Sequence, residues 1–99
     1  MPIKNYSQEE IRRWVRENTQ RDPWLSEEEI DHITICLSHL VKWYFEDYPV
    51  GDFLRAVLKN NLSEACGYAD DTNRKVLFTY TQFLYNNLPI DYKEKAKKL

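Results

Sequence analysis

The sequence predicts an all-α fold, an irregular small bundle of about five helices, two of them short. Three observations lead there. Apolar residues recur at i, i+3, i+4 spacing from Ile11 to Leu88. Two Ser-x-x-Glu capping boxes stand at the head of the first two periodic runs. Asn, Asp, Gly and Pro then punctuate the chain too often for long helices. Ninety-nine residues make a single helical domain, 1–99, with one modest core. Residues 1–6 and 90–99 read as ends prone to fraying or disorder.

The first helix is expected to start at Ser7, whose hydroxyl and the Glu10 carboxylate satisfy each other's orphan backbone N–H groups. Ile11, Trp14 and Val15 form its apolar face, and it fades at Asn18 to Gln20 before an Asp22–Pro23 turn. The second helix begins with the Ser26 and Glu29 box. Glu27, Glu28, Glu29 and Asp31 load its first turn with negative charge, which suits the positive end of the macrodipole. Its face runs Ile30, Ile33, Leu37, Leu40, Val41, Tyr44. The alternation Ile33 to Leu37 resembles a short strand, but Leu40, Val41 and Tyr44 keep the 3.6 period. The helix should end at Glu46 or Asp47, because the residue before Pro49 disfavours the α conformation.

After the turn Pro49 to Asp52, a third helix carries Phe53, Leu54, Val57 and Leu58, with Asn60-Asn61 suited to its C-terminal end. A short fourth helix, Leu62 to Tyr68, has Leu62, Ala65, Cys66 and Ala69 as its apolar side and is weakened by Gly67. Asp70-Asp71-Thr72 offers N-caps for a fifth, which buries Val76, Leu77, Tyr80, Phe83 or Leu84, and Leu88 and stops at Pro89. The tail from Ile90 holds Lys93, Lys95, Lys97 and Lys98.

Composition narrows the function classes. Charged residues are 30% of the chain but nearly balanced, with a net charge of −2. Binding nucleic acid through phosphates would therefore need a local patch. No segment approaches the apolar length of a membrane span. Met1 to Gln20 carries charge throughout, without an apolar stretch of a secretory signal. A cytoplasmic protein with Cys36 and Cys66 reduced is expected. Aromatics make up 14%, with three Trp and seven Tyr, residue types enriched at interface hot spots.

From Pro49 to Pro89 the chain resembles a group of small uncharacterised proteins encoded by phages and prophages. The residues concerned are Pro49, Gly51, Phe53-Leu54, Ala56-Val57-Leu58, Asn60, Leu62, Glu64-Ala65, Ala69-Asp70, Asn73, Leu84-Tyr85-Asn86 and Pro89. They span about two-fifths of the chain; the first two helices do not take part. The resemblance implies a phage-related, mostly helical small protein and no particular activity. The same residues have plain structural roles as core, caps and turns. The alternative is that Asn60, Glu64, Asp70, Asn73 and Asn86 converge as a polar surface.

No catalytic constellation stands out. The two His and two Cys form no motif of nucleophile, base and orienter, and with only Gly51 and Gly67 there is no glycine-rich phosphate loop. His32, Cys36 and His39 fall at i, i+4, i+7 and with Cys66 suggest a zinc set. The outer pair would stand about 10 Å apart along the helix axis, too far to share one ion. No metal or other cofactor is expected. Arg12, Arg13 and Arg16, with Arg21 beyond, make a local basic cluster. Its neighbours Glu9 and Glu17 favour a solvated, paired face over a polyanion contact. The third helix, Asn60-Asn61 and the fourth helix have helix-turn-helix lengths, but Leu62 to Tyr68 is apolar and acidic, the wrong chemistry for base edges.

The expectation is a non-enzymatic protein-binding module of phage or mobile-element origin. Its contact residues would be Trp24, Trp43, Tyr48, Tyr68, Tyr85 and Tyr92, which lie at turns, at ends or off the main apolar faces. A homo-oligomer is a variant, driven by a second stripe of Ile35, His39 and Trp43. The alternative is a nucleic-acid-associated accessory protein using Arg12, Arg13, Arg16 and the lysine tail.

Overall fold

Helix α1 (Gln8–Thr19) begins as its cap dictates: the Glu10 backbone N–H donates to the Ser7 hydroxyl at 3.2 Å. The computed structural model describes residues 5–19 and 25–99, so the Asp22–Pro23 turn, Arg21 and Trp24 lie outside the described residues. α2 (Glu27–Glu46) has both halves of its capping box, Glu29 N–H to the Ser26 hydroxyl and Ser26 N–H to the Glu29 carboxylate, each at 3.1 Å. It ends in Asp47, which adopts the left-handed conformation and donates its N–H to the Trp43 carbonyl at 3.1 Å.

α3 (Asp52–Leu58) closes with a Schellman motif. Asn60 takes φ 58°, its N–H reaching the Val57 carbonyl, while Asn61 N–H reaches the Ala56 carbonyl. Asn61 then serves the next helix: its side chain accepts from the Glu64 N–H and caps α4 (Leu62–Tyr68). Adjacent Asn residues thus end one helix and start another, folding α3 back onto α4.

The run expected as one fifth helix is two. α5 (Asp71–Lys75) is capped by Asp70, and α6 (Leu77–Asn87) follows a single non-helical residue, Val76. α6 stops before Pro89 as expected. Tyr92–Ala96 form α7, with Ala96 buried. The described residues therefore hold seven helices of unequal length, an irregular all-α bundle. No described helix is long and apolar enough to cross a membrane.

One core joins these elements. Ile11, Trp14 and Val15 of α1 meet Ile30, Ile33, Leu37, Leu40 and Val41 of α2, together with Tyr80, Phe83 and Leu84 of α6. Leu54, Val57 and Leu58 of α3 and Ala65 of α4 complete it. Two expected core positions are corrected. Leu62, 67% exposed, and Cys66 point to solvent, because α4 buries only Ala65, with its C-cap Ala69, against the body. Trp43 is also corrected: it is only 4% exposed, covered from the side by α7. The Lys95 ammonium lies 5.3 Å from the centroid of its ring, pairs with Asp47 at 2.6 Å and donates to the Tyr44 carbonyl at 2.9 Å. The Tyr44 hydroxyl donates to Asp91 and ties the base of the same helix.

Glu29 illustrates how a cap becomes a tertiary clip. Its second oxygen accepts from the Thr72 hydroxyl and from Lys75 Nζ, both at 3.1 Å, joining α2 to α5. The Ser26 N–H first, then Lys75 and Thr72, hold its carboxyl below the usual carboxylate range. With the folded value depressed, the unfolded chain takes up this proton first on acidification. The stabilisation is present above the unfolded glutamate value and is lost as pH falls through the folded one. Thermal melts between about pH 5 and about pH 3 should therefore fall less steeply for Glu29→Gln than for the wild type. Equal slopes would refute the linkage.

Candidate functional site

The surface is best read helix by helix. α6 buries Tyr80, Phe83 and Leu84 on one side. Its other side presents Phe78, Thr81, Gln82 and Tyr85, at i, i+3, i+4 and i+7, along one stripe. Phe78 is 71% exposed and Tyr85 74%. These are large apolar areas left in water on one helix, the kind of feature that marks an interaction site.

Beside the stripe lies a groove of about 860 Å³. Its floor is Val57 and Leu58 of α3, Leu84 of α6 and Ala96 of α7. Tyr92 is half-buried in its wall, where burial pushes the phenol pKa up. Lys59 and Asn60, at the close of α3, stand with Asn86, Lys93 and Lys97 as its polar lining. A smaller hollow of about 290 Å³ lies between Trp43, Pro49, Val50 and Lys95.

The groove gathers two of the aromatic residues singled out from the sequence, Tyr85 and Tyr92. Of the others, Tyr48, Tyr68 and Trp43 do not line it. Tyr48 is exposed elsewhere, its ring tilted against that of His39 with centroids 5.0 Å apart and the Lys42 ammonium 5.6 Å from it. Tyr68 is exposed at the end of α4. Trp43 is buried beside the smaller hollow. The proposed Ile35, His39, Trp43 stripe thereby shrinks to Ile35 and a His39 already engaged with Tyr48. Of the polar set Asn60, Glu64, Asp70, Asn73 and Asn86, only Asn60 and Asn86 line the groove. Asn73 is buried and accepts from the Tyr80 hydroxyl, and Asp70 caps α5 through the Asn73 N–H at 2.7 Å.

Phe78 was missed by the sequence reading. The signal was present: Phe78 and Tyr85 are seven residues apart and lie off the face that Tyr80 and Leu84 share. Lys59 was missed too, because its neighbourhood with Lys93 and Lys97 exists only once α7 docks.

The basic cluster is neutralised in place. The Arg16 guanidinium forms a two-pronged pair with Glu27, and Arg12 pairs with Asp31 and sits 3.7 Å from Glu27. Arg13 lies between Glu10 at 2.6 Å and Glu17 at 2.8 Å. Arg16, and more weakly Arg12, hold the Glu27 carboxyl below its usual range. Among the described residues, three guanidinium groups thus face four carboxylates.

His32, Cys36 and Asp70 come together at the α2–α5 contact. His32 Nε2 lies 2.9 Å from the Asp70 carboxylate and 3.9 Å from Cys36 Sγ. One ring nitrogen faces both neighbours, whereas a nucleophile triad needs the base to use opposite nitrogens. Burial moreover pushes the Cys36 thiol pKa up, away from the reactive thiolate. Among the described residues no three His, Cys, Asp or Glu side chains converge to hold a metal ion. Cys66 stands exposed, and His39 is turned to Tyr48.

Comparison with protein-family models, with curated proteins and with solved structures finds no match for this chain.

Proposed function

We propose that the chain is a non-enzymatic protein-binding module, and that the groove between α3, α6 and α7 is its contact surface. The observation that carries this is the pair Phe78 and Tyr85, exposed on one stripe of α6 beside an apolar-floored groove. Exposed aromatics flanking a preformed hollow are how interface anchors are arranged. The resemblance of Pro49 to Pro89 supports a phage or mobile-element origin, with a host or phage protein in the cytosol as partner. The nucleic-acid alternative loses its main support, because Arg12, Arg13 and Arg16 are each held against carboxylates.

The double substitution Phe78→Ser/Tyr85→Ser tests this. Both side chains are exposed, so the fold should survive, with stability changed only slightly. Loss of two anchors should weaken partner binding by about 30-fold or more. Ile35→Ser, also exposed, is the control and should leave binding intact. Isotope-coded affinity purification compares the three chains. A partner retained equally by the double variant removes the groove from the function.

A further inference from the structure

We infer that the occupant of the groove is an acidic amphipathic helix of a protein partner. This rests on the groove being the contact surface. Three lysines, Lys59, Lys93 and Lys97, line it, and no carboxylate does. Lys59 Nζ donates to the main-chain oxygen of Leu99 at 3.2 Å, and Lys97 pairs at 3.1 Å with Glu94, neither of which lines the groove. The lining itself therefore carries three lysines and no carboxylate around an apolar floor, in a chain whose net charge is −2. The complement is a segment with apolar anchors along one side and carboxylates beside them.

A helix suits the groove better than an added strand. An extended peptide gains affinity by adding main-chain bonds to a sheet edge, and the described residues form helices only. The ridge it would lie beside, Phe78 to Tyr85, is two helical turns, about 10 Å. That matches a partner helix anchored at i, i+3 or i+4, and i+7. A second copy of this chain using the same face is disfavoured. An isologous contact sets like patches together, and each lysine trio would meet its own copy.

The test uses synthetic four-turn amphipathic peptides with one apolar face and either Glu or Lys along both flanks, plus an oligothymidylate. Binding to the full chain is read by fluorescence anisotropy at low and high salt. The Glu-flanked peptide should bind about tenfold or more tighter than the Lys-flanked one at low salt, and the gap should close with salt. Lys59→Glu/Lys93→Glu/Lys97→Glu should invert the preference, and Phe78→Ser/Tyr85→Ser should abolish binding of both peptides. Equal binding of the two peptides, still lost in the aromatic variant, overturns the acidic partner while leaving the groove reading standing. Peptide binding that ignores the aromatic substitutions overturns the groove reading and this inference with it. Oligothymidylate outcompeting the Glu-flanked peptide, with loss in the lysine variant, reassigns the surface to single-stranded nucleic acid and also overturns the inference.

Discussion

Phe83→Ala should cost about 3–5 kcal/mol of folding stability. Phe83 has no exposed surface, and its ring meets Trp14 edge-on, centroids 5.0 Å apart at 81°. That geometry places the positive ring edge against the negative face, which adds about 0.5–1.5 kcal/mol beyond area burial. The contact also closes the core between α1 and α6, so the cavity left by alanine would open at the junction of two elements. A domain of this size holds about 5–15 kcal/mol in total. The melting temperature should drop by at least about 12 °C in a far-ultraviolet circular dichroism melt. Phe78→Ala makes the contrast. It is the same residue type, five positions earlier on the same helix, and 71% exposed. Its cost should stay within about 0.5 kcal/mol. Comparable melting temperatures for the two variants would contradict the orientation of α6 on which the exposed stripe depends.

That orientation also explains what could and could not be read in advance. Signals that act within one or two turns were legible. Ser26 with Glu29 fixed the start of α2, Asn60 took the left-handed position at the end of α3, and α4 kept its expected bounds because Asn61 caps it locally. The break at Val76 was not legible. A one-residue interruption leaves the apolar period intact on both sides, and no Gly or Pro announces it. The fate of Leu62 shows the same limit from the other side. Its place on an apolar stripe was real, but α4 turns only Ala65, with its C-cap Ala69, inward, and nothing local says which part of a weak stripe a neighbour will cover. Trp43 is the reverse case. It lies off the α2 core face, and its ring is met by Lys95 of α7, a lysine-rich segment whose composition reads as solvated. Lys95 reconciles the two by laying its stem over the indole while its ammonium reaches Asp47. The groove depends on the same docking. Its lining comes from residues 57–60, 78–86 and 92–97, and no local pattern joins three segments so far apart.

Tyr80 should give the second large effect, and a divided one. It is fully buried, edge-on to Phe53 at 5.2 Å, and its hydroxyl donates to Asn73 Oδ1 at 2.5 Å. Burial pushes its phenol pKa up, which favours the neutral hydroxyl that donates here. Asn73 is itself buried and spends its backbone N–H on Asp70, so the carbonyl of its side chain has been taken out of water on the strength of this bond. Tyr80→Ala removes ring and hydroxyl and should cost about 3–5 kcal/mol. Tyr80→Phe keeps the ring but strands the Asn73 oxygen, and should cost about 1–3 kcal/mol, the desolvation of an unsatisfied acceptor. Asn73→Ala made on the Tyr80→Phe background should then add less than it does on the wild type, with a coupling of about 0.5–3 kcal/mol by double-mutant cycle in urea. Because this bond spans the Val76 break, the coupling measures how far α5 and α6 are held together by a side-chain contact where the helical backbone is interrupted. Strict additivity would mean that the two segments are fastened by the apolar core alone.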